Sequence, residues 1–346
     1  MKKRKIGVAL SGGVDSTACA LQLLQHHEVH GFFMRLAGPD PTLLAAQEQR
    51  ARAVAALLDV DLKVIDLSQA FSAAILRSFT ATYALGRTPN PCMLCNQTIK
   101  FGLFLDAILA CGMDAMATGH YARIERDGEW LHLRKGRDTA KDQSYFLARL
   151  DQRQLHQSLF PLGEHTKEEA YALVEKSGLT GFRGQESQDI CFLGSMPVGQ
   201  FLSERLAQAE QPGNIVTGDG RILGTHRGLF HYTIGQRRGL GLADATPWYV
   251  IGLDPAANHV IIGKEQDLYH DRLRIHAPHW LPHPPEQGRQ YQIKVRYRHQ
   301  GADAVMERID DGHWEIRFDT PQRAITPGQF AVIYDQDRVI GCGEID

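Results

Sequence analysis

Three of the six cysteines in this chain lie in surroundings that suit sulfur chemistry. Cys92 and Cys95 form a CxxC pair at the predicted start of a helix, and Lys100 follows on the same helix. A helix N-terminus and a nearby ammonium both favour a thiolate, so the sequence predicts a lowered thiol pKa and a candidate nucleophile. Cys191 stands at the apolar edge of a polar run. A structural zinc site needs four ligands, and the absence of a second CxxC pair disfavours one.

A second stretch with residue types suited to ligand binding joins a predicted buried strand to a predicted helix. Its residues are Ala9, Leu10, Ser11, Gly12, Gly13, Val14, Asp15 and Ser16. The backbone N–H groups of such a turn and the helix dipole form an anion site, which the two glycines let a ligand approach closely. The serines can add hydroxyl donors, and the aspartate can cap the helix or hold a metal. The stretch matches neither the Walker motif nor GxGxxG.

The elements that position these residues alternate through the first half of the chain. Predicted strands lie at 6–10, 28–34, 62–67 and 115–120, with helices between them. Such alternation predicts a parallel sheet covered by helices on both faces, with ligands at the carboxyl ends of the strands. The glycine loop, Met34 and Gly119 then share one edge. Met34 either packs an adenine or belongs to the core, and Gly119 lets a ribose or adenine approach.

The composition and hydrophobic pattern of the sequence change near residue 213, where glycines become frequent and helical periodicity ends. Short strands and turns follow, and a proline-rich linker lies near 278–285. We therefore predict an α/β chain of three domains. Residues 1–210 form the parallel-sheet domain, 211–277 a small β-rich domain, and 278–346 a C-terminal β-barrel. A hairpin with an Asp-Gly turn is predicted over 123–135.

Composition and charge narrow the class of protein. The net charge of −2 argues against a broadly basic nucleic-acid-binding protein. A local basic stretch remains, in which a predicted strand places Lys294, Arg296 and Arg298 on one face. That face either protects a sheet edge or binds phosphate. The apolar runs are shorter than the ~20 residues of a membrane span, and the cysteine pattern is not a disulfide framework, so we expect a cytoplasmic protein.

Motifs spread over nearly the whole chain resemble those of the tRNA-specific 2-thiouridylases of the MnmA/TrmU type, within the PP-loop ATP pyrophosphatase superfamily. They are SGGVDS (11–16), TPNPCMLCNQTIKF (88–101), ATGHYAR (117–123), KDQSYFL (141–147), SQDICF (187–192) and YTIGQRRGLG (232–241). The resemblance implies ATP-dependent 2-thiolation of the wobble uridine in tRNAs for Lys, Glu and Gln. In that reaction ATP adenylates the C2 oxygen, sulfur replaces it, and AMP and pyrophosphate are released.

The resemblance also implies roles for individual residues. Residues 9–16, Met34 and Gly119 would bind ATP, with Mg²⁺. Cys95 would be the catalytic cysteine, and Cys191 would receive persulfide sulfur from a relay beginning at a cysteine desulfurase, with a Cys95–Cys191 disulfide in the cycle. The positions implied to contact tRNA are Asn90, Pro91, Cys92, His120, Lys141, Asp142, Gln143, Arg296, Tyr297 and Gln329.

Cys92 departs from the family pattern, because many members carry aspartate there. A thiol does not replace a carboxylate cleanly as a general acid or base. Cys92, Cys95 and Cys191 could instead hold three irons of a [4Fe–4S] cluster whose fourth iron binds sulfide. Two different functions also stay open, a PP-loop ligase acting on a small metabolite and a non-catalytic nucleotide- or metal-binding module. The ligase leaves Cys95, Cys191 and the β-rich half without a task, and the binding module leaves the basic strand and the cysteines unexplained. We expect a monomer.

Overall fold

The computed structural model describes residues 3–182, 190–194, 196–206 and 211–346. The strands in this part of the chain are β1 (Lys5–Ala9), β2 (Glu28–Arg35), β3 (Leu62–Asp66), β4 (Ala115–Ala117), β5 (Ala122–Asp127), β6 (Trp130–Lys135), β7 (Ser158–Leu159), β8 (Gly213–Thr217), β9 (Ile222–His226), β10 (Tyr249–Asp254), β11 (His259–Gly263), β12 (Tyr269–Trp280), β13 (Gln290–Lys294), β14 (Ala302–Arg308), β15 (His313–Arg323), β16 (Phe330–Asp335) and β17 (Arg338–Ile345).

The helices concentrate in the first 210 residues. Their bounds are Val14–Leu24, Pro41–Leu57, Ser68–Phe71, Ser72–Leu76, Arg77–Ala84, Pro91–Cys95, Asn96–Phe104, Leu105–Ala110, Ser144–Leu147, Gln152–His156, Lys167–Lys176 and Val198–Ser203. The segments Ser72–Leu76 and Asn96–Phe104 are π-helical and continuous with the helices on either side. Short 3₁₀ turns lie at Pro161–Glu164, Leu229–His231 and Glu265–Leu268.

A five-stranded parallel sheet in the order β3-β2-β1-β4-β7 forms the first domain, as the alternation of elements predicts. Helices cover both faces. Ile6 and Val8 of β1 belong to the apolar cluster that includes the helices Val14–Leu24 and Lys167–Lys176. Phe32 of β2 packs on the opposite side with the helix that begins at Pro91. Because β1, β2 and β4 are parallel, their carboxyl ends meet at one edge.

The continuous helix Pro91–Ala110 is as long as a membrane span, contrary to the expectation that the apolar runs are shorter. It has 20 residues and a mean hydropathy of 1.3, enough by length and composition to cross a bilayer. Several of its apolar side chains are nevertheless core residues, since Met93, Phe101, Phe104 and Ile108 are each no more than 1% exposed within the first domain, whereas Leu103 is 45% exposed. A core helix passes the same compositional test as a membrane span.

Two further sheets form the β-rich half. The smaller has the order β10-β11-β8-β9, and the larger contains a six-stranded antiparallel barrel, β12-β15-β14-β13-β16-β17, closed by pairing of β12 with β17. Because β12 belongs to the barrel, the barrel begins at Tyr269 rather than at the predicted residue 278. The predicted end of the first domain at 210 lies outside the described residues.

The hairpin β5–β6 joins the first domain to the barrel. Its turn contains the predicted Asp127-Gly128 pair, and β6 pairs with β17 so that the hairpin extends the barrel sheet to eight strands. Asp337 reinforces this junction by accepting hydrogen bonds from Arg123 (2.7 Å) and Arg134 (2.5 Å). The first domain therefore supplies two strands to the sheet of the last one.

The predicted basic strand does not continue beyond Lys294. Residues 295–298 turn away from β13, and the backbone N–H of His299 donates to the carbonyl of Arg296 at 3.0 Å. Lys294, Arg296 and Arg298 therefore do not form the common strand face that their spacing predicted. Val295 is buried in the barrel core, and its burial accompanies this change of direction.

Candidate active site

The glycine loop lies at the carboxyl end of β1, where the sequence predicts it. Gly12 adopts a φ of +79°, and a Cβ there would lie 2.8 Å from backbone atoms of Arg50 and Ala51. Glycine is therefore required both by the turn and by the helix Pro41–Leu57 beside it. Ser16 is buried and donates through Oγ to the Gly13 carbonyl at 3.0 Å. Its oxygen also accepts from the Ser11 backbone N–H at 3.2 Å, so the loop is internally braced.

Asp15 neither caps the helix nor stays free for a metal. The N-cap residue is Gly13, without a side-chain cap. The Asp15 carboxylate accepts hydrogen bonds from Lys167 Nζ at 2.8 and 2.9 Å and from the Tyr121 hydroxyl at 2.8 Å. Lys167 is only 7% exposed, and its ammonium also faces the rings of Tyr121 and Tyr171. A nearly buried cation thus stands beside the anion-binding loop.

The other two predicted nucleotide positions lie at the same edge of the sheet. Gly119 follows β4, and a Cβ there would lie 2.6 Å from the backbone carbon of Asp15. Its lack of a side chain therefore lets the loop pack against β4, a reason that the sequence did not reveal. Met34, near the end of β2, is half-buried and packs against the two apolar clusters that contain Phe32 and Phe192.

The CxxC pair occupies the first turn of its helix. Asn90 is the N-cap and accepts from the Met93 N–H at 3.4 Å, and Pro91 takes the first helical position, which needs no donor. Cys92 and Cys95 are three residues apart and therefore lie on one helix face. Both are half-buried free thiols. The π-helical segment begins directly after Cys95, and such segments are frequent at functional sites.

Cys191 reaches the same region on a tight turn, where the N–H of Leu193 donates to the carbonyl of Ile190 at 3.0 Å. The neighbouring Phe192 anchors this turn, because its ring lies 5.5 Å from that of Phe79 within an apolar cluster that Cys95 also contacts. Cys191 itself is exposed and is a free thiol. The predicted motif residues Ser187, Gln188 and Asp189 lie outside the described residues.

The electrostatics of the cysteines differ from the sequence-based expectation. Burial raises the pKa of both Cys92 and Cys95 to about 12, and the Lys100 charge opposes this shift without overcoming it. Although Cys191 is exposed as a residue, the protein atoms packed around its thiol also raise its pKa by desolvation, and Lys100 again opposes the shift. The predicted lowering of the thiol pKa is therefore wrong in its net direction, because desolvation of the thiolate outweighs the ammonium. The shared influence of Lys100 shows that the three thiols lie in one electrostatic environment.

His120 borders the same environment. Burial and the Lys100 charge hold the pKa of its imidazole well below the usual value, so the ring is neutral at physiological pH. Nδ1 lies 2.7 Å from the Thr118 hydroxyl, and the ring contacts Phe101 and Phe160. A neutral imidazole suits hydrogen bonding to a base better than it suits phosphate binding.

The barrel is hydrogen-bonded to the segment that precedes the CxxC pair. Gln329 donates through Nε2 to the carbonyls of Thr88 (2.9 Å) and Pro89 (3.2 Å). The Thr88 N–H donates to the carbonyl of Pro327 at 2.9 Å. Gln329, implied as a tRNA contact, therefore has its amide engaged in positioning the cysteine helix.

Two of the remaining predicted tRNA positions, Asp142 and Gln143, form hydrogen bonds within the protein. Asp142 is 5% exposed and accepts from the N–H groups of Gly136 and Ser144, both at 3.1 Å. Gln143 is tied in the same manner, because its side chain accepts from the Tyr121 N–H at 3.1 Å. Lys141 lies at the adjacent turn. The Asp142 and Gln143 side chains thus shape the loop.

Arg296 and Tyr297 lie where the barrel meets the first domain. The Tyr297 ring packs 4.4 Å from that of Phe146, and Arg296 donates to the Arg323 carbonyl at 3.0 Å. Tyr145, next to Phe146, donates its hydroxyl to the Phe330 carbonyl at 2.9 Å. These contacts place the two residues close to the KDQSYFL segment.

Sequence reasoning missed Lys167, Tyr121 and Arg149. Lys167 is the first residue of a helix whose capping box, Thr166 with Glu169, is readable in the sequence, but the contact with Asp15 spans 152 positions. Arg149 donates to Gln97 at 2.7 Å and lies over the Phe330 ring. No local pattern marks these long-range contacts.

Two metal sites were predicted, a cluster on the three cysteines and a Mg²⁺ site at Asp15. Within residues 3–182, 190–194, 196–206 and 211–346, no group of three or more His, Cys, Asp or Glu side chains is placed to hold a metal ion. The three cysteines therefore do not fit a shared cluster in this conformation. Asp15 does not fit a dedicated Mg²⁺ ligand either, since Lys167 and Tyr121 occupy its carboxylate.

Comparison with known families matches these features along the whole chain. The family model described as "tRNA methyl transferase HUP domain" matches residues 4–195. The models for a "tRNA methyl transferase PRC-barrel domain" and an "Aminomethyltransferase beta-barrel domain" match residues 199–264 and 270–345. The fold and the glycine loop thus define a protein of the nucleotide-binding HUP class with two β-rich domains appended.

Named relatives refine the class. The "tRNA-specific 2-thiouridylase MnmA" of Desulfotalea psychrophila is 47% identical, with 100% of each chain covered. That of Syntrophotalea carbinolica is 44% identical, with 99% of each covered. The chain belongs to the MnmA family of tRNA-specific 2-thiouridylases. A solved "U34-tRNA thiolase NcsA from Methanococcus maripaludis with its [4Fe-4S] cluster" is similar only at 16% identity and a TM-score of 0.36, over 54% of this chain and 60% of that one.

Proposed function

We propose that this protein catalyses the ATP-dependent 2-thiolation of the wobble uridine (U34) of tRNA. The observation that carries the proposal is the grouping of Cys92, Cys95 and Cys191 around Lys100, in a chain whose first domain carries the SGGVDS loop of its family. A small-metabolite ligase gives no task to these thiols. Methyl transfer, which the family-model description names, gives none to them or to ATP.

ATP is the cofactor of the first half-reaction. The C2 oxygen of the uracil attacks the α-phosphorus, the bond to the β-phosphate oxygen breaks, and pyrophosphate leaves. The glycine loop and the Lys167 ammonium stabilise the negative charge of the departing pyrophosphate. Mg²⁺ binds mainly to substrate phosphates in such sites and retains several waters, so we propose that it arrives with ATP.

Sulfur transfer forms the second half-reaction. The terminal sulfur of a Cys191 persulfide bonds to C2, and the C2–O bond breaks to release AMP. Cys95 Sγ then attacks Cys191 Sγ, the thiol proton of Cys95 passes to the thiolated base, the persulfide S–S bond breaks, and sulfur stays on the base. The product is a Cys95–Cys191 disulfide, which an external dithiol must reduce by two electrons before the next turnover. Because Cys191 is exposed, a donor protein can load it with sulfur.

We propose the persulfide route rather than cluster-bound sulfide, since the three thiols do not form a metal-binding group within the described part of the chain. The donor is a sulfur-relay protein or a cysteine desulfurase. The substrates are tRNAs for Lys, Glu and Gln, and the protein acts in the cytoplasm as a monomer. Asn90, Pro91, Cys92 and His120 surround the target base, while Lys141, Arg296 and Tyr297 contact the RNA outside it.

Nucleoside analysis of tRNA from a deletion strain tests the function. We expect loss of 2-thiouridine and its return when the gene is restored. Retention of 2-thiouridine in the deletion strain refutes the proposal. Cys95→Ser and Cys191→Ser should each abolish thiolation while ATP binding persists, and Cys111→Ser, at the C-terminal end of the cysteine helix, serves as the matched control.

A further inference from the structure

The YTIGQRRGLG motif has no task in the reaction described above. Its residues 235–241, which we call the arginine turn, form a turn anchored to β10 of the central sheet. The Gly235 N–H donates to the Val250 carbonyl at 2.8 Å, and the Val250 N–H donates to the Gln236 carbonyl at 3.0 Å. Gly239 and Gly241 adopt φ angles of +81° and +68°, which the turn needs. The motif thus builds a fixed loop that Tyr232 and Leu240 anchor in the apolar core of the central domain.

The arginine turn presents unneutralised positive charge. Arg237 and Arg238 are exposed, and their side chains make no ion pair or hydrogen bond within the described parts of the chain. Asp244, in the loop that follows, is already paired with Lys264 at 2.6 Å. Among the hydrogen bonds of the described residues, none uses the backbone N–H groups of residues 237–241. Two free guanidinium groups beside free N–H donors form a surface suited to phosphate.

The ring of Trp248 lies across a groove from the arginine turn. A groove of about 470 Å³ lies between the arginine turn and Trp248, and Arg237, Leu240 and Leu242 also line it. The Lys264 ammonium lies 3.3 Å from the centroid of the Trp248 ring. Cationic groups beside an aromatic ring are the elements with which proteins hold unpaired nucleotides, because the cations follow the backbone and the ring stacks on a base.

The arginine turn is continuous with the barrel residues proposed to contact tRNA. A Cβ on Gly235 would lie 3.0 Å from Ala324 Cβ, so the two domains touch there. The adjacent Arg323 accepts a hydrogen bond from Arg296 through its carbonyl. Its own guanidinium is paired with Glu265 at 3.6 Å, and Arg296 and the arginine turn lie on either side of this contact.

We propose that the arginine turn is a second tRNA-binding surface, at which Arg237 and Arg238 bind backbone phosphates and an unpaired nucleotide packs against Trp248. The inference rests on the proposed function, because it takes tRNA as the polyanion. It assigns to the central domain a contribution to RNA affinity that is separate from the chemistry at the cysteines.

The test compares the Arg237→Ala/Arg238→Ala double variant of the full chain with wild type. We expect the Kd for unmodified tRNA to rise about tenfold near 0.1 M salt, and the slope of log K against log salt to fall by about 1 to 2. Thiolation at saturating tRNA and the Kd for ATP should not change. An Arg237→Lys/Arg238→Lys variant should retain most of the salt slope. Trp248→Leu should weaken tRNA binding without changing that slope.

Arg4→Ala is the matched control, because Arg4 precedes β1 at the amino edge of the sheet, opposite the glycine loop. An unchanged tRNA Kd and salt slope in the double alanine variant overturn the inference. Loss of sulfur loading by the donor protein, with tRNA binding intact, also overturns it by assigning the surface to that protein. Failure of the proposed function is distinct, since wild type itself would then leave tRNA unthiolated.

Discussion

Lys167 Nζ lies 2.8 Å from Asp15 Oδ1, so a nearly buried ammonium from a helix late in the first domain holds the aspartate of the SGGVDS loop. The pair fixes the start of the helix Val14–Leu24 from outside the motif. It also keeps a positive charge beside the loop, where pyrophosphate leaves in the proposed reaction.

Lys167→Met is therefore expected to raise the KM for ATP about tenfold or more and to lower the Tm by several degrees, because it leaves the partly buried Asp15 carboxylate without its cation. Lys167→Arg should recover part of both losses. Lys176→Met, in the exposed last turn of the same helix, is the control. Steady-state kinetics and thermal unfolding measure the effect, and a wild-type KM in Lys167→Met would contradict this role.

Thiol alkylation should follow the raised pKa values. Since the pKa values of Cys92 and Cys95 are about 12, both are protonated at pH 7, and their labelling by iodoacetamide should rise about tenfold per pH unit from pH 7 to 9. Cys191, being exposed, should be labelled first. Lys100→Met should slow all three, because it removes the opposing charge. Mass spectrometry of tryptic peptides reads each site, and rapid labelling of Cys95 at pH 7 would disprove the shift.

The same shift has a consequence for stability. Because the Cys92 and Cys95 thiols have a higher pKa in the folded chain than the ~8.5 of an unfolded cysteine, ionisation favours unfolding. Their contribution to the free energy of unfolding is complete below about pH 8.5 and is lost as the pH rises towards about 12. A Cys92→Ala/Cys95→Ala variant should show a weaker loss of stability with rising pH in urea titrations.

Cys92→Ser separates the two sulfur mechanisms. In the persulfide route Cys95 and Cys191 make and break the S–S bonds, so Cys92→Ser should keep most of the thiolation activity. A cluster with three cysteine ligands would lose both its iron and its activity in the same variant. Iron analysis with UV–visible and EPR spectra of anaerobically reconstituted protein completes the test. A cluster signal that disappears in Cys92→Ser would reverse our preference.

Gln329→Ala should impair sulfur transfer without affecting ATP binding. The substitution removes the two hydrogen bonds from the barrel to Thr88 and Pro89, and so loosens the segment before the cysteine helix. We expect the single-turnover rate of thiolation to fall about tenfold, with the Kd for ATP unchanged. Gln290→Ala, which removes a surface contact with Asp319 on the barrel, is the control. Equal rates in both variants would assign Gln329 no positioning role.

The sequence predicted the features that depend on local pattern. Alternating strands and helices indicated the parallel sheet, and Asp127-Gly128 indicated the hairpin turn. Features set by tertiary contact were not predictable. Burial reverses the expected thiol pKa shift at Cys95, and the contact between Lys167 and Asp15 joins segments 152 positions apart. The strand at 290–294 ends early although the alternation of residue types continues beyond it.

The sharing of a sheet between the first domain and the barrel affects how the chain folds during synthesis. The hairpin β5–β6 is complete soon after residue 135, but its partner β17 is made only when the ribosome has added about two hundred more residues. At about 5–20 residues per second, the edge of β6 stays unpaired for roughly ten seconds or longer. An open strand edge is a template for aggregation. Slow translation of the β-rich half should therefore increase the dependence of this protein on chaperones.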